Sequence, residues 1–394
     1  MNDTARRACA AAAESESGLL PVLERWVRIN SFTGNVPGAN RMADALAEDF
    51  AELGLAFTRH PGDGHGDHVV WRTAAWERAP ERRVVLVGHH DTVFPPGSFE
   101  SFERDGDRVR GPGALDMKGG ILVVRTALLA LAAAGGLERL PLALISVSDE
   151  EIGSPGSRPL IEDLARGARA GLVFESGRRD DSVVTRRKGT GGLKVVARGR
   201  AAHAGNAHAD GVNAIWGLAR LIDRLQALTD YDRGVTINVG VVAGGEAKNT
   251  VPARAECGVD IRFVHAVDGN DLVAAIDRAA RAVASETGVT FSLEGGVRRP
   301  PLERTDASAA LCRLYGENAR RFGLGSGECG LVGGGSDANT LAAIGVPAID
   351  ALGPRGAGFH THDEYIELST MVPRAQALIY TLLELAGDQL DADV

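Results

Sequence analysis

The chain has 394 residues, and 43 Lys+Arg against 52 Asp+Glu give a formal net charge of −9. At about 100–200 residues per domain this length holds two or three domains, and 44% apolar with 24% charged residues excludes wholesale disorder. The acidic balance argues against nucleic acid or a membrane surface as a partner, since both call for a basic face.

No stretch reads as a membrane span: the best, 121–131, is short, contains Arg125 and falls well under the roughly 20 residues required. The opening MNDTARRACAAAAESESG has no apolar core before Glu14 and Glu16, so it does not read as a secretory signal. Cys9, Cys257, Cys312 and Cys329 form no C-x-x-C pair. That fits a cytoplasmic protein without disulfides and excludes a cysteine-based zinc site.

In chain order, 21–29 and 39–53 have the apolar spacing of amphipathic helices. The run 83–88 (RVVLVG) predicts a buried strand. A long apolar helix follows at 121–134 and stops at Gly135-Gly136. Then come a second buried strand at 142–147 (LALISV), a helix over 159–165 that Ser157 can cap, and a third buried strand at 170–174 (AGLVF). This alternation predicts an α/β fold, a mostly parallel sheet with helices on both faces. The pattern then changes. Segments 192–199, 234–242 and 255–263 alternate polar and apolar residues, as antiparallel strands with one wet face do, and helical stretches at 211–228 and 268–287 lie among them. After Pro300-Pro301 the α/β pattern resumes, with a helix opened by Ser336-Asp337 and a strand at 348–352. The order predicts a catalytic domain in two parts, 1–187 and 299–394, interrupted by an inserted antiparallel α+β domain at 188–298.

Each of the three buried strands runs into potential metal ligands: His89-His90-Asp91, then Asp149-Glu150-Glu151, then Glu175. In open parallel sheets ligands bind beyond the carboxyl ends of strands, and charges placed there are costly unless paired or metal-bound. With Asp116 in GPGALDMKGG and His360 in GFHTHDEY, the set is His89, Asp116, Glu151, Glu175 and His360. Two imidazoles and three carboxylates suit zinc, with cobalt and manganese also accepting these donors. If Asp116 bridges, each of two zinc ions has three protein ligands and one open position, the arrangement of a co-catalytic hydrolytic site. In the pair Glu150-Glu151 one carboxylate binds metal and its neighbour is free to take a proton from water. Asp91, two residues beyond His89, is placed to orient that imidazole.

These motifs carry a resemblance. GHHDTV at 88–93, GPGALDMKGG at 111–120, SDEEIGS at 148–154, FES at 174–176, RAAHAG at 200–205, NTVPARAECGVDIRF at 249–263, GGGSDANTLA at 333–342 and GFHTHDEYIEL at 358–368 stand in family order. The sequence resembles the zinc-dependent aminoacylase and carboxypeptidase family, which includes acetylornithine deacetylase, succinyl-diaminopimelate desuccinylase and glutamate carboxypeptidase. The resemblance implies that His89, Asp116 and Glu175 hold one zinc and that Asp116, Glu151 and His360 hold the other. Glu150 would be the general base and Asp91 the orienting acid. It also implies that 188–298 form a lid and homodimerisation domain, from which His203 would reach a partner subunit's site and stabilise an oxyanion. Asn249 and Arg262 would hold a substrate carboxylate, Arg by its bidentate fork. Gly335 and Ser336 could add backbone N–H donors to that anion.

RRKGTGGLKVVARGRAAHAG, the triple Gly before Ser336 and VRRPPLE are most like the glutamate carboxypeptidase branch. On that reading Lys188 and Arg299, or its neighbour Arg298, are further substrate contacts. The shorter spacing from His360 to Glu364-Tyr365 is nearer the deacetylases. The expected activity is hydrolysis of an amide bond in an N-acyl amino acid or peptide with a free carboxylate. The alternatives are a deacylase, desuccinylase or dipeptidase of the same family, a biosynthetic amidohydrolase, or a catalytically inactive metal-binding protein of the same fold. Other features read plainly. His90 is at the wrong phase for a ligand, His362 is a solvent-side loop residue, and His60, His65 and His68 lie around a Gly/Asp-rich loop. The G-x-G-x-x-G match at 325–330 has no strand before it and reads as a turn.

Overall fold

The computed structural model describes residues 3–387; positions 1–2 and 388–394, which end the two expected catalytic segments, lie outside the described residues. The described residues form two compact units, one of residues 3–186, 304–331 and 336–387, the other of 187–303 and 332–335.

The first unit is built on a six-stranded sheet in the order Ala56–His60, His68–Arg72, Leu142–Val147, Val84–His89, Ala170–Val173, Ala348–Ile349. The last four run parallel, and the first two form an antiparallel hairpin at one edge. The sheet is therefore mixed and mostly parallel. The hairpin was not anticipated; its turn is the Gly/Asp/His loop between His60 and His68.

The central strands are buried throughout because both faces are covered. Val84, Leu86, Leu144 and Leu172 belong to a core shared with helix Gly119–Ala133, against which Asp3–Glu14 and Met371–Ala386 pack. Alternate residues point to the other face, where helices Arg158–Ala165 and Asp337–Ala343 lie together and contact the strands. Gly171 permits that approach: a Cβ there would lie 2.5 Å from Leu341 Cδ1. Gly120 serves the first face, since a Cβ there would meet the Phe174 carbonyl oxygen at 2.0 Å. A second, small sheet in the order Gly356–Ala357, Tyr365–Glu367, Arg108–Arg110, Glu103–Asp105 ties the segment after residue 355 to the one before residue 111.

Some ends and caps differ from expectation. The helix expected over 21–29 is Glu16–Val27 with Pro21 inside it, and a further helix, Asp3–Glu14, precedes it. Ser157 precedes helix Arg158–Ala165 without capping it, because its hydroxyl donates to Asp149 Oδ1 at 2.5 Å.

The second unit is a four-stranded antiparallel sheet in the order Thr236–Gly244, Arg254–Phe263, Gly189–Arg198, Thr290–Arg299. Along Arg254–Phe263 every second residue is buried. Ala255, Cys257, Val259, Ile261 and Phe263 share a core with Leu193, Val195 and Ala197 and with Leu218, Leu221, Ile276 and Val283 of helices Ala214–Gln226 and Ala266–Thr287. The edge strand Thr290–Arg299 and the short pair Ala202–His203 with Thr250–Val251 are elements of this unit that alternation did not predict. Among the described residues no helix is long and apolar enough to cross a membrane.

Candidate metal centre

Parallel strands end on one side of their sheet, so His89 at the end of Val84–His89, Glu150 and Glu151 after Leu142–Val147, and Glu175 after Ala170–Val173 are delivered to one place. Asp116 arrives from the turn before helix Gly119–Ala133, where the backbone is not helical (φ −120°, ψ 89°). His360 arrives from the loop before Tyr365–Glu367, with φ +61°. That left-handed conformation is uncommon outside Gly and persists where surrounding contacts impose it.

Asp116 lies between the two imidazoles. Its Oδ1 is 3.3 Å from His89 Nε2 and its Oδ2 is 3.3 Å from His360 Nε2. Each imidazole has one further carboxylate: Glu175 Oε1 is 3.7 Å from His89 Nε2, and Glu151 Oε2 is 3.1 Å from His360 Nε2. Donor atoms of His89, Asp116 and Glu151 lie within 4.8 Å of one another, as do those of His89, Glu150 and Glu175. His89, Asp116, Glu150 and Glu175 are all buried.

The electrostatics follow from crowding carboxylates into a dry site. Burial pushes the Glu175 carboxyl up to about 8, reinforced by the Asp116 charge. Burial also raises Glu151. Hydrogen bonds to Asp116 and Glu151 raise His360 to about 10. Burial opposes charging His89, yet contacts with Asp116, Asp91 and Glu175 carry it well above 6.5. A site with more carboxylates than imidazoles is in deficit of positive charge, and the N and O donors suit a divalent cation. The residues fit metal.

Asp91 is fully buried and does more than orient one ring. Its carboxylate is 3.3 Å from His89 Nδ1, accepts the N–H groups of Glu150 and Glu151 at 3.3 and 3.2 Å, and accepts the Thr33 hydroxyl at 2.7 Å. One side chain therefore fixes a proposed ligand and the neighbouring pair of glutamates. Sequence reasoning missed Thr33, which no local pattern marks. It also missed Glu364 and Lys118. Buried Glu364 accepts backbone N–H groups from the Asp116 turn, and Lys118 donates to the carbonyls of Trp26 and Ile29 at 3.0 and 2.9 Å. Lys118 stands within GPGALDMKGG, and its burial there is a signal that sequence alone does not show. His90 is buried against Ser146 Oγ at 2.9 Å, and exposed His362 stacks on Phe99.

The other site candidates lie mostly in the second unit. His203 is exposed, and its Nδ1 receives the N–H groups of Gly205 and Asn206 at 3.1 and 3.0 Å. A nitrogen that accepts is unprotonated, so the neutral ring carries its proton on Nε2. Asn249 is exposed. Arg262 is closed in a bidentate pair with Asp260, two residues back on its own strand, at 2.8 and 2.9 Å. Lys188 Nζ donates to the Gly234 carbonyl at 2.8 Å, and Arg299 is buried. Gly335 is half-buried. Ser336, in the first unit, is not placed as an anion donor. Its N–H goes to Asn339 Oδ1 at 3.0 Å in a capping box, and its hydroxyl goes to Asp350 Oδ2 at 2.6 Å.

A carboxylate flanked by two imidazoles, beside the carboxyl ends of parallel strands, is the donor set of a metal-dependent enzyme. The chain belongs to peptidase family M20/M25/M40, which matches residues 85–384. Carboxypeptidase G2 of Pseudomonas sp. (strain RS-16) is 28% identical over 386 residues, covering 96% of this chain and 91% of the relative. Succinyl-diaminopimelate desuccinylase of Novosphingobium aromaticivorans is also 28% identical over 386 residues, covering 92% and 97%. In fold, the chain is similar to the crystal structure of aminopeptidase PepT from Bacillus cereus, with a TM-score of 0.77 at 23% identity over 94% of this chain and 99% of that one. The chain is a metallohydrolase of this family, carboxypeptidase-like.

Proposed function

We propose that this protein is a two-zinc amidohydrolase that cleaves an amide bond whose amine side carries a free carboxylate, with glutamate the favoured product. The observation that carries the reading is Asp116 placed between His89 and His360, each with its own further carboxylate. His89, Asp116 and Glu175 would hold one ion, and Asp116, Glu151 and His360 the other. Bound zinc supplies a water of lowered pKa and polarises the carbonyl to be attacked. Glu150, buried beside this set and held through its N–H by Asp91, takes one proton from the water as its oxygen bonds to the carbonyl carbon. It returns that proton to the nitrogen as the C–N bond breaks, giving a carboxylic acid and a free amine.

His203 would reach the site of a partner subunit and donate its Nε2–H to the oxyanion developing there; the bonds to Nδ1 support that tautomer. Arg262, with Asn249, would pair with the substrate carboxylate, which must displace Asp260 from the guanidinium. Lys188, Arg299 and Gly335 would add to that side of the substrate. Glutamate is favoured because RRKGTGGLKVVARGRAAHAG, the triple Gly before Ser336 and VRRPPLE resemble the glutamate carboxypeptidase branch, and a carboxypeptidase is among the relatives that align along nearly the whole chain. The second unit would serve as lid and as dimer interface. Support for the interface is the unpaired edge of Thr236–Gly244, with Val241 69% and Val242 64% exposed, and Trp216 52% exposed on helix Ala214–Gln226. Cobalt or manganese would fit the same donors.

The test is hydrolysis by zinc-loaded protein of an N-acyl-glutamate, a pteroyl-glutamate, N-acetylornithine, N-succinyl-diaminopimelate and a dipeptide, with and without chelator. Chelator-sensitive release of glutamate supports the reading. Faster turnover of the acetyl or succinyl substrates moves the assignment to a deacylase. No turnover with two zinc ions bound overturns it.

A further inference from the structure

Asp116 and His360 are 244 positions apart in the numbering, yet their side chains meet at 3.3 Å. What sets that spacing is not in either residue. Asp116 sits in a stretch of non-helical backbone, so the N–H groups there have no helical acceptor. Buried N–H groups must find one. They find Glu364. Its Oε1 accepts from Leu115 at 2.8 Å and from Asp116 itself at 3.0 Å, and its Oε2 accepts from Gly113 at 3.2 Å. Its backbone carbonyl accepts a fourth bond, from Gly111 at 3.2 Å. The side chain is fully buried.

Glu364 is also four residues from His360, at the other end of one tight loop. Within that loop Thr361 N donates to the Gly358 carbonyl at 3.0 Å and Glu364 N to the Thr361 carbonyl at 3.2 Å. Directly after it, Tyr365 pairs with Arg110 and Ile366 with Val109. The segment that presents His360 is thus clamped onto the segment that presents Asp116, and Glu364 makes the contacts nearest the centre.

We propose that Glu364 is a positioning residue that sets the separation of Asp116 and His360, and hence the affinity of the ion they share. The inference rests on the reading of those two residues as ligands. Only a carboxylate supplies two accepting oxygens for three N–H donors. Glutamine offers one, and its NH2 must face an N–H. Partners that orient metal ligands typically change metal affinity by about 10–100-fold when removed.

The experiment compares the parent, Glu364→Gln and His360→Ala. It reads zinc per chain, zinc affinity by competition with a chelating dye, the visible spectrum of the cobalt-loaded protein, and kcat and KM. The expected result is that E364Q folds with a parent-like circular dichroism spectrum and loses affinity, by about 10–100-fold, for the same ion that His360→Ala loses. Its cobalt spectrum shifts, its kcat falls with KM little changed, and excess zinc recovers kcat. If E364Q does not fold, Glu364→Asp, which keeps both oxygens one methylene shorter, is expected to fold and show the same loss. A folded variant that binds both ions within twofold of the parent overturns the proposal. So does failure of both variants to fold, because the carboxylate then serves the fold and not the spacing. A parent that binds no zinc overturns the functional reading as well, whereas a two-zinc parent beside an unaltered E364Q overturns this inference alone.

Discussion

Replacing Thr33 by Val asks whether the buried support around Asp91 governs the metal centre. The two residues are 58 positions apart, and the Thr33 hydroxyl donates to Asp91 Oδ2 at 2.7 Å. Thr33 is 3% and Asp91 0% exposed, so the bond is shielded from water. Valine keeps the β-branched shape, no cavity opens, and what is removed is the bond to Asp91 with the long 3.5 Å contact of the same hydroxyl to the Thr92 carbonyl. A hydrogen bond to a charged group contributes about 1.5–3 kcal/mol, which at about 1.4 kcal/mol per tenfold corresponds to roughly 10–100-fold. Asp91 retains the N–H groups of Glu150 and Glu151 and the His89 ring, which places the expected effect toward the lower end. Because those three contacts hold two proposed ligands and the proposed base, zinc affinity and kcat/KM are expected to fall together, by about tenfold. Zinc affinity is read by chelator competition, turnover by glutamate release, and the metal-free fold by urea unfolding. Loss of urea stability with zinc affinity and kcat/KM both within twofold of the parent refutes the reasoning, since Asp91 would then be a structural acceptor and nothing more.

Glu150→Gln cannot accept the water's proton, so kcat is expected to fall by about 10²–10⁴-fold while metal analysis still finds two zinc ions per chain; normal turnover sinks the base assignment. Arg374 is fully buried, with Nη2 3.0 Å from Asp181 Oδ1. Breaking a buried pair costs about 3–5 kcal/mol, but Asp181 keeps Arg355 at 2.6 Å. Arg374→Met is therefore expected to cost about 2–3 kcal/mol in urea unfolding, and a loss below about 1 kcal/mol contradicts the ion-pair account. His68 is buried and its Nδ1 accepts the Ser148 N–H at 3.3 Å, and burial lowers its pKa from the ordinary 6.5. Below pH 6.5 the unfolded chain binds a proton that the folded chain does not, so this contribution to stability is complete above 6.5 and declines as pH falls toward the lowered folded value. His68→Gln should lose less stability than the parent between pH 7.5 and 5.5, and parallel profiles count against it.

The parts of this fold that were legible in the sequence are those whose cause is local. Val84–His89, Leu142–Val147 and Ala170–Val173 announce themselves as short apolar runs, and the charged residues directly behind them are conspicuous because burial there is costly without a partner. The alternation in Arg254–Phe263 marks one buried and one wet face in the same way. The edge hairpin Ala56–His60 with His68–Arg72 was not legible, because Trp71 and Val70 are buried on both faces by distant elements and the pair shows no alternation. The supports of the centre were not legible for a related reason. Thr33, Glu364 and Lys118 each sit in a stretch that reads as loop or turn, and each acquires its role from a partner distant in sequence.

Ser336 shows the reverse case. A serine before a helix is a sound sign of an N-cap, and it does cap Asp337–Ala343, but capping consumes the N–H that a substrate anion would need. Arg262 makes the same point in the second unit, where a guanidinium free on paper is closed on Asp260. Residue types and spacing can show which donors a site might draw on. Whether a donor is available depends on the other hydrogen bonds that folding requires of it, so the proposed substrate contact at Arg262 turns on how readily Asp260 is displaced. Asp260→Asn removes that competitor while leaving the strand intact. If Arg262 clamps the substrate carboxylate, KM for an N-acyl-glutamate should fall by up to about fivefold, the scale of a partly exposed ion pair, with kcat unchanged. A KM that rises shows Asp260 to be orienting Arg262 and not competing for it.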